Sequence, residues 1–400
     1  MNDVAPFRLA IVVSHPIQHF CPQYASFARL PGVQLKVFFA SALGLKKYVD
    51  KNFGREVSWG NLRLDAFDHV FMNGDAVLQS DGGIDAVSLP AELDAFRPDS
   101  IVSYGYYQKL QRMAHKWAGR NKVPVAFISD GENRQKRPLH KRIGKAIYLR
   151  WYLRRIDYFF TVGNANEAYY REYGVPSRKF VRMHYPVDLA TYEPAFAGRV
   201  ALREKIRKQY DIGEGDFVIS VVGKLVEWKN QGHLVDLLAV LEQKGLKAHV
   251  LIIGSGVEMD SIAKRASTLK SNKAHMVGFV DPLALPDFYA ASDLYIHPAR
   301  VEPHSLAISE AIYMGCPVIV SDRCGSYGKT DDVQDGRNGF VYPFGDILDL
   351  AQKVERIMLK RSLAEEFSSV SIDNSRAFQA RSHGGCVEEL IQRVRAAAKR

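Results

Sequence analysis

Cysteine is scarce. The 400 residues hold four, Cys21, Cys316, Cys324 and Cys386, scattered without the spacing of a zinc site or a redox pair. Reduced thiols are expected and a disulfide framework is not. Asp-x-Asp does not occur, and no protein-bound catalytic metal or other cofactor is expected. Apolar runs stop short of the ~20 residues that cross a bilayer. The opening Met-Asn-Asp-Val-Ala-Pro-Phe-Arg lacks the basic-then-apolar layout of a signal peptide. A cytosolic protein is therefore the expectation. Low-complexity tracts are missing as well, and with 47% hydrophobic and 24% charged residues the composition is that of a globular protein.

What is present is length enough for two cores and an uneven charge. The formal net charge is +10, yet residues 109–155 alone carry fourteen Lys or Arg against Asp130 and Glu132. Residues 136–155 interleave that charge with aromatics and set Leu139, Ile143 and Ile147 on one helical face. Three outcomes are open for this segment: a solvated helix packed on a core, a surface for anionic membrane, or a nucleic-acid contact. No nucleic-acid motif accompanies the charge, and nucleic acid is not an expected partner. A peripheral place on the inner face of the cytoplasmic membrane stays open.

Short apolar runs at 8–14, 34–40, 100–104, 123–129 and 158–162 alternate with longer polar or helical segments, the rhythm of a doubly wound parallel sheet. The rhythm lapses at 186–212 and restarts with strands near 216–223, 248–254, 275–278, 294–297, 317–321 and 339–342. The predicted fold class is α/β with two Rossmann-like domains facing across a cleft. They span 1–190 and 191–375, with a helix in 376–400 that packs back on the first. A ligand is expected between the two carboxyl edges.

Two glycine motifs mislead. Gly254-Ser-Gly256 follows a strand, but the third glycine of G-x-G-x-x-G is Met259; a tight, phosphate-friendly turn remains. Gly328-Lys329-Thr330 resembles the end of a P-loop whose first glycine is here Arg323.

Glu302 and Glu310 stand eight residues apart across a loop-to-helix junction, with a helix predicted over 305–314, Gly315 at its left-handed end and a buried strand beyond. A helix starting at a sheet's carboxyl edge aims backbone N–H groups at anions. Carboxylates beside it suit hydroxyl groups, so the pair fits a ligand with hydroxyls on both sides of a phosphate, such as a nucleotide sugar. A capping Glu302 and a solvated Glu310 are the alternative. Gly223-Lys224-Leu-Val-Glu-Trp-Lys229 closes the first strand of the second domain and places two ammonium groups at the same edge. They are either surface lysines or counter-charges for a diphosphate leaving group.

Taken in order, Gly223-Lys-Leu-x3-Lys229, Gly254-Ser-Gly256, Val277-Gly-Phe-Val280, 285–293, Glu302-x7-Glu310, Gly315-Cys-Pro-Val318 and Asp335-Gly-Arg-Asn-Gly339 resemble family 4 retaining glycosyltransferases of the GT-B fold over residues 216–358. Ser14-His15-Pro-Ile-Gln-His19-Phe20, Trp59-Gly60 and 129–132 resemble members that build bacterial surface polysaccharide and lipopolysaccharide.

The resemblance implies transfer of a sugar from a nucleoside diphosphate to an acceptor hydroxyl, lipid-linked or on a growing glycan, with retention and without a metal. It implies that Glu302 faces the reacting sugar, Glu310 holds the ribose hydroxyls, and Lys224 and Lys229 bind the diphosphate, Lys224 standing where arginine is usual. Backbone groups of His304, Ser305 and Leu306 would meet the phosphates, although the usual Gly-Phe-Gly is here Pro303-His304-Ser305. Ser14 and His15 would line the donor site. Where many members carry a histidine after the fourth strand, this chain has Ser129 and Asp130; Asp130 leads the candidates for its role, ahead of Glu132, His15 and His19. A nucleotide-sugar epimerase and a non-catalytic scaffold on the same fold are the alternatives.

Overall fold

The computed structural model describes residues 5–45, 48–50, 55–57, 62–74, 86–106, 108–134 and 139–399, with the backbone alone at 48–50, 55–57 and 139–143. Trp59, Gly60 and residues 135–138 lie outside the described residues, as do the side chains of Leu139 and Ile143.

The first sheet has seven parallel strands: β1 (Phe7–Val13), β2 (Val33–Phe39), β3 (Asp68–Phe71), β4 (Ser100–Tyr104), β5 (Val125–Ile128), β6 (Tyr158–Thr161) and β7 (Phe180–Arg182), in the order β3-β2-β1-β4-β5-β6-β7. Alternation along β1 divides two cores. Leu9, Ile11 and Val13 pack with Phe20, Tyr24 and Leu390, while Ala10 and Val12 pack with Phe38, Leu110 and Leu149. Both faces are covered, which is why β1 reads as an unbroken apolar run. The edge strands β3 and β7 escape a reading by apolar runs: Asp68–Phe71 has no fully buried residue, and Phe180–Arg182 is three residues long.

The second sheet repeats the order with six strands, β8 (Phe217–Val222), β9 (Ala248–Ile253), β10 (Lys273–Gly278), β11 (Leu294–His297), β12 (Val318–Ser321) and β13 (Gly339–Tyr342), arranged β10-β9-β8-β11-β12-β13. Its helices announce themselves more clearly. Ile347–Leu359 buries Leu350, Ala351, Val354 and Ile357 along one stripe, and the Asp346 side chain accepts from the Asp349 N–H at its start. Residues 186–212, where no strand was expected, hold two helices, Leu189–Ala197 and Arg199–Gln209, the first with Pro194 inside.

The chain crosses between the sheets twice, and the two crossings lie side by side. The first runs from Arg182 to Asp188. The second is the π-helical turn Arg381–Gly385, between the helices Arg361–Ala380 and Cys386–Ala398. Gln379 accepts from the Val187 N–H at 2.8 Å and donates to the Tyr185 carbonyl at 3.1 Å, while the Ser382 hydroxyl donates to the Met183 carbonyl at 2.7 Å. Beyond the turn, Cys386, Val387 and Leu390 are fully buried in the first domain's core.

Candidate active site

In each sheet the strand order reverses beside its first strand, so a crevice opens there at the carboxyl edge. In the second domain the loops after β8 and β11 flank it. The β8 loop begins at Gly223 and ends in the turn Glu227–Lys229. It is held from behind by Gly254, whose φ is +139°; a Cβ there would lie 1.9 Å from the Gly223 carbonyl oxygen. Gly254 thus shapes the loop by backbone contact. The Gln231 amide donates to the Lys224 carbonyl at 2.9 Å, and the Leu225 N–H to the Ser255 carbonyl at 2.9 Å.

A cavity of about 320 Å3 lies in this crevice. Gly223, Lys229, Glu302, His304, Ser305, Leu306 and Glu310 line it from the second domain, and Gln18 and His19 from the first. Lys224, Gly254, Ser14, His15 and Asp130 do not reach its wall.

Glu302 follows β11 and is buried. Its Oε2 pairs with the Lys229 ammonium and lies 2.9 Å from His297 Nε2; His297 Nδ1 is 3.1 Å from the Tyr295 hydroxyl. Burial pushes the Glu302 carboxyl up, but His297 and Lys229 together outweigh it and leave it at about 2. Burial lowers His297, which stays neutral.

Glu310 lies inside the helix Leu306–Tyr313, where it is buried and accepts from the Tyr289 hydroxyl at 2.9 Å. Here burial wins: among the described residues no cation offsets it, Asp188 adds repulsion, and the carboxyl rises to about 7 despite the Tyr289 and Tyr192 hydroxyls.

The turn into that helix is more occupied than the sequence suggests. The Ser305 N–H, expected to be available to a phosphate, donates to the Ser326 hydroxyl at 2.9 Å. The His304 imidazole turns away to Asp332, 3.1 Å off, and its side chain is 1% exposed. Asp332 also accepts from the Ser309 hydroxyl at 2.7 Å. Burial opposes protonation of His304, yet Asp332 and its acidic neighbours raise its pKa.

On the first-domain side, Ser14 Oγ is 2.8 Å from His15 Nδ1. His19 stands four residues from His15, but Pro16 intervenes and both precede the helix Cys21–Ala28, so the spacing is not helical. Among the described residues no group of three His, Cys, Asp or Glu could hold a metal ion. Asp130 is exposed to the cleft; partial desolvation raises its carboxyl, opposed by His304 and a hydrogen bond from Tyr185. Tyr185, in the first crossing, packs its ring 4.8 Å from His304 and 5.7 Å from His19, bridging the domains.

Tyr295, His297, Asp332 and Tyr185 were not read from the sequence. One signal was available: Tyr295 and His297 are alternate residues of a strand and share a face.

Residues 202–372 match the model of a family described as glycosyl transferases group 1. The capsular polysaccharide biosynthesis glycosyltransferase CapM of Staphylococcus aureus is 27% identical over 161 residues, 40% of this chain and 41% of the relative. The first curated relatives are thus matched over less than half of their own length. Solved structures align over nearly the whole chain. A glycosyltransferase from Rickettsia africae ESF-5 superposes with a TM-score of 0.72 at 15% identity, covering 99% of this chain and 100% of that one. Anabaena Alr3699/HepE, in complex with UDP and glucose, gives 0.67 at 16% identity over 96% and 99%. Residues 202–372 are thus similar to the glycosyl transferases group 1 family, and the two facing Rossmann-like domains have the GT-B fold.

Proposed function

We propose that the protein transfers a glycosyl unit from a nucleoside-diphosphate sugar to an acceptor hydroxyl, with retention of configuration and without a metal. The observation that carries this reading is the cavity at the strand-order reversal, which gathers Glu302, Glu310, Lys229 and Gly223 on one wall and Gln18 and His19 on the other. The HepE structure, which holds UDP and glucose on the same fold, supports a donor of this class.

Glu302 faces the reacting sugar as a carboxylate. Lys229 neutralises it and is the cation a diphosphate would recruit, with Lys224 at the loop's start adding a second charge. Glu310 accepts from the ribose hydroxyls. The bond from the anomeric carbon to the phosphate oxygen breaks, the acceptor oxygen bonds to that carbon on the same face, and its proton passes to the departing phosphate. Asp130, open to the cleft opposite Glu302, faces the acceptor.

A thermal-shift screen with UDP-, GDP- and ADP-sugars tests the donor class, because a ligand that binds the folded state raises the melting temperature. At least one should stabilise the protein, and Glu302→Ala should lower turnover a hundredfold or more. A flat screen, or activity untouched by Glu302→Ala, refutes the assignment.

The acceptor proposed is a lipid-linked or growing surface glycan reached from a membrane face. In the helix Leu139–Leu153, Leu149, Tyr152 and Leu153 are buried, yet Ile147 and Trp151 are 69% and 55% exposed. The Arg155 guanidinium lies 3.6 Å over the Trp151 ring, and Arg150 and Arg154 are exposed nearby. Apolar and cationic groups exposed together fit anionic headgroups better than water alone. Among the described residues no helix is long and apolar enough to cross a membrane. Binding to phosphatidylglycerol vesicles should weaken with salt and fall tenfold in I147E/W151E; equal binding to neutral vesicles at high salt removes its electrostatic basis.

A further inference from the structure

We propose that His297, held by Tyr295, is a positioning residue for Glu302: as a neutral imidazole it donates one hydrogen bond from Nε2, which orients the carboxylate without cancelling its charge. This rests on the assignment of Glu302 to the reacting face of the donor.

The tautomer follows from the partners. An ionised carboxylate only accepts, so Nε2, 2.9 Å from Glu302 Oε2, carries the hydrogen. Nδ1 is then an acceptor, and the hydroxyl of Tyr295 at 3.1 Å must donate to it. Tyr295, His297 and Glu302 are 0%, 2% and 8% exposed, so water does not compete for these bonds. The charged groups acting on His297 are Glu302, which favours the imidazolium, and Lys229, which opposes it alongside burial.

The consequence appears when a donor arrives. Lys229 and His297 both hold Oε2. A diphosphate that draws Lys229 away leaves His297 as the partner on that oxygen among the described residues. A cationic histidine would then replace one ion pair with another and quench the charge offered to the sugar. A neutral one keeps Glu302 anionic.

Two measurements decide this. In protein carrying 15N-labelled histidine, the ring signals that vanish in H297Q should report the Nε2–H neutral form at pH 7, and Y295F should disturb it. An imidazolium at pH 7, or the Nδ1–H form, overturns the proposal. In turnover with UDP-glucose, or whichever nucleotide sugar the wild type consumes, H297A should lower kcat at least tenfold with KM within twofold. H297Q, whose amide N–H reaches the same oxygen, should recover most of that loss. Equal losses in both variants, or a loss confined to KM, overturn it, with melting temperatures showing that each variant folds. If the wild type binds and consumes no nucleotide sugar, the functional reading fails, while the tautomer measurement still stands on its own.

Discussion

Burial acts on Glu302 and Glu310 with the same sign and ends in opposite results, because a cation and a histidine face the one and tyrosine hydroxyls face the other. A carboxyl near 7 is about half protonated at neutral pH, and hydroxyl groups of a ligand donate best to the ionised form. Affinity for a nucleotide sugar should therefore rise as pH climbs through about 7 and level off above it, with proton release on binding. Calorimetry in buffers of different ionisation enthalpy reads that proton; UDP-glucose is the better probe, since its diester diphosphate does not titrate there. Glu310→Gln should weaken binding roughly tenfold, about 1.4 kcal/mol, and flatten the pH dependence. A dependence that persists in Glu310→Gln would place the titrating group elsewhere. At this scale, Glu302, Glu310 and Lys229 could be placed from loop position and spacing. The partners that set their charge could not, because His297 and Tyr295 sit in an apolar strand whose pattern reports only burial. Ser305 shows the reverse case: its place at a helix start reads as an open N–H, and only the fold brings Ser326 to it.

Among the elements, the paired crossings join the domains through side-chain hydrogen bonds to backbone. Gln379 makes both of its hydrogen bonds to the backbone of the other crossing. Gln379→Ala would strand the Val187 N–H in the interior, a loss of about 1–3 kcal/mol. A lower midpoint in chemical denaturation, with the cavity's nucleotide response retained, is the expected result; an unchanged midpoint would mean that water replaces the amide. The strands and helices of the second domain between 216 and 359 were legible because long, fully covered elements write their period into the chain, as 347–359 does; the helix Arg361–Ala380 beyond them was not read. The first domain's edge strands were not, being short and half wet. Nor were the helices of 186–212, where Pro194 and a charged run mask the apolar stripe that ends at Ile206.

Across the whole molecule the domains also meet away from the crossings. Asp331 is fully buried, accepts from the Asn164 N–H at 2.8 Å and lies 3.4 Å from Arg182. Arg134 stacks 3.8 Å over the Tyr327 ring. A glycine on each side permits this approach: a Cβ at Gly163 would lie 2.4 Å from Asp331 Oδ1, and one at Gly328 2.2 Å from Asn164 Oδ1. G163A/G328A should therefore part the domains and increase the radius of gyration in solution scattering, while the second domain keeps its own core. An unchanged profile would show that the side chains yield instead. Nothing local in the sequence marks this contact, since it joins residues some 165 positions apart. The return of Cys386, Val387 and Leu390 to the first core has a different reach, into time. Although a ribosome delivers the first sheet ahead of the second, the face of that sheet under Phe20 and Tyr24 is not fully covered until residues 386–390 arrive. The later domain can close first, and the earlier one must wait with part of that apolar face exposed, in the state where chains of this size are most prone to aggregate.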